Sequence, residues 1–371
     1  MSILALATSL SDLRERLGSI VVGYSKSASP ITADDLGVGG ALAVLLRDAL
    51  MPTLMQTVER TPVLVHTGAF SYVGYGSTSI IADDIALRLV GEDGYLITSS
   101  GSGTDLGLEK FFNIKVRYSE AVPRCIVLVA NINALKVQGG ANTVIKPGKP
   151  LPEEYLHEDV ELVKKGCAHL IKHIQNAQKY HANVVVAVNK FKHNTQAEID
   201  VVLQASKEAG VFDAVVSNHY AQGGYGAEEL AKSVERACLD QNKKHEHFQF
   251  LYDLNQPIHT KADIVAREMY GADGVDFTDL ATSQMKKIED AGFGNLPICI
   301  AKTHFSFTCD SSIKGVPTGF RITVREVKTC VGAGYIYLLC GDIMTIQGLP
   351  TRPNFYDLEL DVDTGDVIGL F

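Results

Sequence analysis

The side chains of this chain that could do chemistry sit just after short apolar runs. His66 follows Val63 to Val65, and Ser99, Gly101, Ser102, Gly103 and Asp105 follow Tyr95 to Ile97. Asn133, Lys136, Gln138 and Gly139 follow Ile126 to Ala130, and Lys302 and His304 follow Pro297 to Ala301. In such places His66 or His304 would serve as acid or base, Asp105 or Asp342 would orient it, and Lys136 or Lys302 would stabilise an anion. Gly101 and Gly103 permit positive φ and close backbone approach, and N–H groups at a helix start suit an anion. Yet Gly101, Gly103 and Gly107 are one residue off the dinucleotide spacing, and the chain has no G-K-[ST] phosphate loop. Read alone, Ser99 to Asp105 is either an anion site or a tight turn with Asp105 as a helix cap.

Strands and helices must position these groups. Apolar runs of four to six residues alternating with helical periodicity predict an α/β fold, a mostly parallel sheet with helices on both faces. The pattern places helices at the N-terminus, over Gly39 to Met55 with Pro52 bending it, over Ile80 to Val90, over Pro152 to Tyr180 and from Gln196. Strands are expected at Val63 to Val65, Tyr95 to Ile97, Ile126 to Ala130, Val184 to Val188 and Phe212 to Ser217, with Asn131 to Gly140 as a polar loop. Five strand ends should then converge on the carboxyl edge: His66 with Gly68, Ser99 to Asp105, Asn131 to Gln138, Asn189 to Lys192, and Asn218 to Gly224. Tyr72, Tyr75, Tyr220 and Gly223 join the candidate ligand-binding set. From about His245 a smaller α+β lobe, with a strand at Phe248 to Tyr252, should dock on the core of residues 1–244 and bring Lys302, His304 and Asp342 to the cleft.

Bulk properties narrow the function classes. A formal charge of −9 over 371 residues argues against a nucleic-acid binder. The seven cysteines lack a CxxC pair and read as buried thiols in a reducing, cytoplasmic setting. His169 and His173, four apart on a helix, read as a surface pair rather than a metal site, so no metal is expected. No run reaches the length of a membrane span.

The strings DLGVGGALAVLLRDALMPTLMQT, TPVLVHTGAF, SIIADDIALRLVGEDGYLIT, LEKFFNIKVRYS, GFGNLPICIAKTH, KGVPTGF and GLPTRPNFYDLELD, with the ending VIGLF, resemble the formate–tetrahydrofolate ligase family as found at the carboxyl end of eukaryotic trifunctional one-carbon enzymes. The resemblance implies a P-loop NTPase-like α/β fold, a homodimer, tetrahydrofolate as a ligand, and ligation of formate at the expense of ATP through a formyl phosphate. The family's phosphate loop, with its lysine, lies upstream of the region matched here, so ATP with Mg²⁺ is not expected on this chain by itself. Its ligand-facing turns depart from the family. TEAGFGAD is replaced by residues 98–105 with three serines, an arginine position by Asn133, a tryptophan by Tyr220, and HAGPFANIAHG by a turn carrying Tyr72 and Tyr75. The resemblance therefore implies a retained fold with remodelled or lost chemistry, with two alternatives: a folate-binding regulator that pairs with a full-length relative, or part of an active ligase.

Overall fold

The computed structural model describes residues 1–67, 74, 75, 77–141, 143, 145, 150–242, 244–341, 343 and 356–368. The strands, in chain order, are β1 (Val21–Tyr24), β2 (Pro30–Thr32), β3 (Thr53–Gln56), β4 (Pro62–Val65), β5 (Cys125–Asn131), β6 (Asn183–Asn189), β7 (Asp213–Ser217), β8 (Val275–Phe277), β9 (Ile298–Ala301), β10 (Ile322–Cys330), β11 (Tyr335–Cys340), β12 (Glu359–Leu360) and β13 (Val367–Ile368). Two of the sheets organise the molecule. One is parallel, in the order β5-β6-β7, and the other is mixed, in the order β8-β10-β11-β9. The α/β class expected from the sequence is the fold observed.

The parallel sheet follows from β6, NVVVAVN, which is apolar on both faces and buried from Asn183 through Val188. The helix Val160–Gln178 covers it with Val163, Cys167, Leu170, Ile174 and Ala177, a spacing that keeps one helical face apolar. Asp159 caps this helix by accepting from Leu162 N at 2.8 Å. The helix Gln196–Glu208 starts with a full capping box between Thr195 and Glu198. In the second sheet β10 and β11 form an antiparallel pair, flanked by β8 parallel to β10 and β9 parallel to β11.

A continuous helical run over residues 103–119 feeds the core of both sheets. It contains two π-helical turns, Gly103–Leu108 and Phe111–Lys115. The wider turns put Phe111 and Phe112 both inward, and Phe112 stacks on Tyr180 with ring centroids 4.1 Å apart.

Several expected elements take another form. The N-terminal helix is two, Ser2–Leu6 and Leu10–Gly18, because Ser9 caps the second by accepting from Asp12 N. Gly39 to Met55 is not one buried helix. It is a helix at Gly39–Leu46, a single turn at Asp48–Leu50 and strand β3, because Pro52 lacks the N–H a helix needs, and its apolar residues are largely exposed. Tyr95 to Ile97 is not a strand, and Ile97 is 88% exposed. Asn131 to Gly140 is a helix, Ile132–Gly139, capped by Asn131. Pro152 to Tyr180 breaks into Glu153–Leu156 and Val160–Gln178.

Phe248 to Tyr252 forms no strand, because side chains meet its backbone. Arg117 donates to Tyr252 O at 2.7 Å, and Asn113 Oδ1 accepts from Leu251 N. Finally, β4 pairs antiparallel with β3 outside the parallel sheet, so three of the five expected strand ends, those of β5, β6 and β7, share its carboxyl edge.

The helix Ile132–Gly139 crosses Val160–Gln178 through glycines. A Cβ on Gly166 would lie 2.0 Å from Leu135 O, and one on Gly139 would lie 2.1 Å from Leu162 O. Backbone cannot yield to such contacts without separating the helices. Gly166→Ala should therefore lower stability by about 2–3 kcal/mol in urea denaturation. Gly40→Ala, with open space around its position, should stay within about 1 kcal/mol of the parent and on the stabilising side.

Candidate functional site

At the carboxyl edge of the parallel sheet Asn131, Asn189 and Ser217 stand side by side in register. Asn131 Oδ1 caps the following helix by accepting from Asn133 N at 2.9 Å. Asn133 Oδ1 then meets His193 Nε2 at 3.1 Å, joining the β5 and β6 loops. Ser217 Oγ meets His219 Nδ1 at 2.9 Å. The ring of Phe191 lies 6.2 Å from His193 and 6.5 Å from Tyr220. Tyr220 is 85% exposed, on the short helix His219–Gln222. The edge is thus a ledge with aromatic faces and amide and imidazole groups, across which Lys190 N donates to Ser217 O at 3.0 Å. Its chemistry suits a planar, polar ligand that stacks and accepts hydrogen bonds.

A second cluster lies in the core. Lys302, 0% exposed, donates to Asp105 Oδ2 at 3.1 Å, Thr303 O at 3.0 Å and Ser306 O at 2.6 Å, with its ammonium 4.6 Å from the Tyr270 ring centre. An ammonium has three hydrogens, so this set satisfies it. Burial would raise the Asp105 carboxyl, but Lys302 and His173 outweigh it and hold it below the usual range. Thr104 Oγ1 meets His173 Nδ1 at 2.7 Å, and Thr104 N donates to the same nitrogen at 3.4 Å. His169 and His173 both stack near Phe307, at 4.8 and 5.0 Å. They are therefore not a surface pair: burial lowers His173, and burial followed by His173 pushes His169 down to about 3. Among the described residues no group of three or more potential ligands could hold a metal ion.

The other expected site residues divide clearly. Lys136 is buried and donates to Glu198 Oε1 and His157 O, each at 2.7 Å, and to Tyr155 O at 3.5 Å. Both ring nitrogens of His66 are engaged, Nδ1 with Ser79 Oγ at 2.7 Å and Nε2 with Ala49 O at 2.8 Å. His304 is exposed, with its ring 3.8 Å from that of Phe305, and its pKa is lowered chiefly by partial desolvation. Tyr75 is a core residue whose hydroxyl meets Thr78 Oγ1. Gln138 bridges to a distant loop, donating to Phe305 O at 3.4 Å and accepting from Gly315 N at 2.9 Å.

Ser99 Oγ accepts from Gly101 N, and Gly101 and Gly103 have positive φ, so this loop is a tight turn held by its own polar groups. Ser102 precedes the helical run and is exposed. Gly139 serves the helix crossing. Gly223 has positive φ, and beside it Gly224 N donates to Glu59 Oε1 at 2.8 Å, which anchors the β3–β4 hairpin. Gly68, Tyr72 and Asp342 lie outside the described residues.

Two groups escaped the sequence reading. His193 was legible only as a histidine close after β6. Glu109 is fully buried and pushed up to about 7, chiefly by burial and against the donation from Asn113 Nδ2 at 2.9 Å. Its signal was the four-residue spacing to Asn113, which any helix surface could show.

The whole chain, residues 1–371, matches the family described as formate–tetrahydrofolate ligase. The chain belongs to that family. It is 50% identical over 370 residues to the formate–tetrahydrofolate ligase of Arabidopsis thaliana, covering all of this chain and 58% of that protein. It is 51% identical over 371 residues to the human cytoplasmic C-1-tetrahydrofolate synthase, covering 39% of it. The mouse mitochondrial monofunctional C1-tetrahydrofolate synthase is 49% identical over 371 residues, with 38% covered. This member of the ligase family thus spans little more than half of the plant relative and less of the longer synthases. No helix among the described residues is long and apolar enough to cross a membrane.

Two outcomes follow from the buried cluster. Lys302→Met leaves Asp105 charged without its partner and should cost about 3–5 kcal/mol of stability, whereas pairing it with Asp105→Leu should recover most of that, as read from urea midpoints. For His169, held near 3 against an ordinary 6.5, the unfolded chain takes up its proton first as pH falls. Its contribution is complete above about pH 6.5 and is lost as pH falls toward about 3, so His169→Gln should reduce proton uptake on unfolding in that window by about one.

Proposed function

We propose that this chain is a formate–tetrahydrofolate ligase homologue that takes a small, folate-like ligand on the ledge of Asn133, Phe191, His193 and Tyr220, and in which ATP-driven ligation of formate is lost or altered. One observation carries the reading. Lys136 and Lys302, the cations placed by sequence to stabilise an anion, are each buried with three protein acceptors. Phosphoryl transfer needs positive charge aimed at the transferred group, and a lysine saturated by internal acceptors does not supply it. Asn133, where the resemblance implies arginine, is neutral and turned to His193. Tyr220 keeps an exposed aromatic face for stacking.

A second reading, part of an active ligase, draws on the 50% identity to the Arabidopsis enzyme over 58% of its length. A cytoplasmic location and pairing of two copies, the latter implied by the resemblance, complete the proposal; relatives carry cytoplasmic and mitochondrial names.

The chain supplied with MgATP, formate and tetrahydrofolate should release no ADP above background, while tetrahydrofolate should quench its tyrosine fluorescence saturably. Tyr220→Ala should weaken that binding about 5–10-fold, the contribution of about 1 kcal/mol from one aromatic face. Sustained ADP release coupled to 10-formyltetrahydrofolate formation would overturn the loss of ligation. A flat titration would remove the folate ligand.

A further inference from the structure

Of the seven thiols, Cys167, Cys299 and Cys340 are buried and the others are partly exposed. Two of the partly exposed ones, Cys125 and Cys238, meet at the base of the parallel sheet, at the strand beginnings and away from the ledge. Cys125 is the first residue of β5 and stands opposite Asn183, the first residue of β6, in parallel register. Asn183 Nδ2 donates to Ala237 O at 2.8 Å and to Asp240 Oδ2 at 3.1 Å. It therefore holds the chain on both sides of Cys238, the last residue of the helix Glu228–Cys238. Neighbouring strands lie about 4.8 Å apart, so Cys125 is a side chain's reach from that helix end. The two thiols share a hydrogen bond.

The surroundings suit oxidation. Arg124 and Leu239, which flank the pair in sequence, are exposed, so a small solute reaches it. The hydrogen bond from Cys125, with the Arg124 guanidinium adding to it, holds the Cys238 thiol below its ordinary range despite partial burial. A second thiol pair, Cys309 with Cys340, also shares a hydrogen bond, but Cys340 is 1% exposed and packed in the second sheet.

We propose that Cys125 and Cys238 are a redox-sensitive pair that a hydroperoxide converts to a reversible disulfide. The Cys238 thiolate attacks the peroxide: an S–O bond forms, the O–O bond breaks, and hydroxide leaves and is protonated to water. Cys125 then attacks the sulfur of the resulting sulfenic acid. The S–S bond forms, the S–O bond breaks, and the departing hydroxide takes the Cys125 proton as a second water. Two thiols are oxidised and one peroxide is reduced. The bond closes residues 125–238 into one covalent loop, which contains β5, β6 and β7 and the ledge residues Asn133, Phe191, His193 and Tyr220. Closing so long a loop restricts the unfolded chain and stabilises the sheet. The inference holds whichever ligand the ledge takes and whether or not ligation is retained.

The test exposes the reduced full chain to hydrogen peroxide and maps its cysteines by mass spectrometry of a non-reduced digest. A linked peptide pair carrying Cys125 and Cys238 is expected, with the intact mass lower by about 2 Da and reversal by dithiothreitol. The oxidised chain should unfold at a temperature at least about 3 °C higher than the reduced chain. Cys125→Ser should abolish both the link and the shift, and leave Cys238 as a sulfenic acid that dimedone traps. The mapping on the parent chain decides the matter even if that variant fails to fold. Oxidation that leaves Cys125 and Cys238 as free thiols, a link between Cys309 and Cys340 alone, links only between chains, or a Cys125–Cys238 link with no rise in the unfolding temperature would each overturn the proposal.

Discussion

An ammonium group withdrawn from water must direct every hydrogen at an acceptor, and Lys302 meets that demand with a carboxylate and two backbone carbonyls. The carboxylate is Asp105, at the head of the 103–119 helical run and far away in the chain. One ion pair thereby joins the run that feeds both cores to the end of strand β9, which lies in the second sheet. Around it burial lowers the pKa of both His169 and His173, and Thr104 Oγ1 meets His173 Nδ1 at 2.7 Å. Glu109, on the same run, is pushed toward neutrality by the same apolar surroundings. The arrangement is a clamp between elements, and its polar groups answer mostly to one another.

Lys136 meets a similar fate elsewhere along the helix Val160–Gln178. It pairs with Glu198, whose carboxylate also accepts from Asp159 N and Thr195 N, so one buried group joins the beginnings of two helices to a third. The helix bearing Lys136 approaches Val160–Gln178 closely because Gly139 and Gly166 offer no side chain at the crossing. What remains open is the row of strand ends, where Tyr220 is exposed, Phe191 and His193 are partly so, and the buried Asn133 is engaged with His193.

The contrast between β5 and β6 concerns the same physics from outside. Two strands of nearly the same composition pair in parallel register, yet one is enclosed and the other shows a valine face to solvent. Burial of such a face is worth about 25 cal/mol per Å² of apolar surface removed from water, a gain that β6 realises and Val127 and Val129 of β5 do not among the described residues.

Much of the fold was legible from the residues. The strands β5, β6 and β7, the helix Ile80–Val90 and the hydrophobic stripe of Val160–Gln178 follow from periodicity, because a local pattern states which faces must be hidden. Caps are the detail that periodicity does not carry: Ser9, Asn131 and Asp159 each start a helix where the apolar pattern shows no break or only a polar stretch. The family, too, was legible, since long strings of core residues carry it.

The site was not, for a reason that periodicity cannot overcome. Lys136, Lys302 and His66 stand after strands as catalytic groups would, but a lysine or histidine is free or engaged according to acceptors brought from distant parts of the chain. Asp105 reaches Lys302, and Glu198 reaches Lys136, only when the sheets and helices have packed. The sequence by itself determined the class of fold, the family and the residue types available at the strand ends. The tertiary structure decided which of them are held in the core and which face solvent, because hydrogen-bond satisfaction in a dry interior is set by neighbours in space and not by neighbours in sequence.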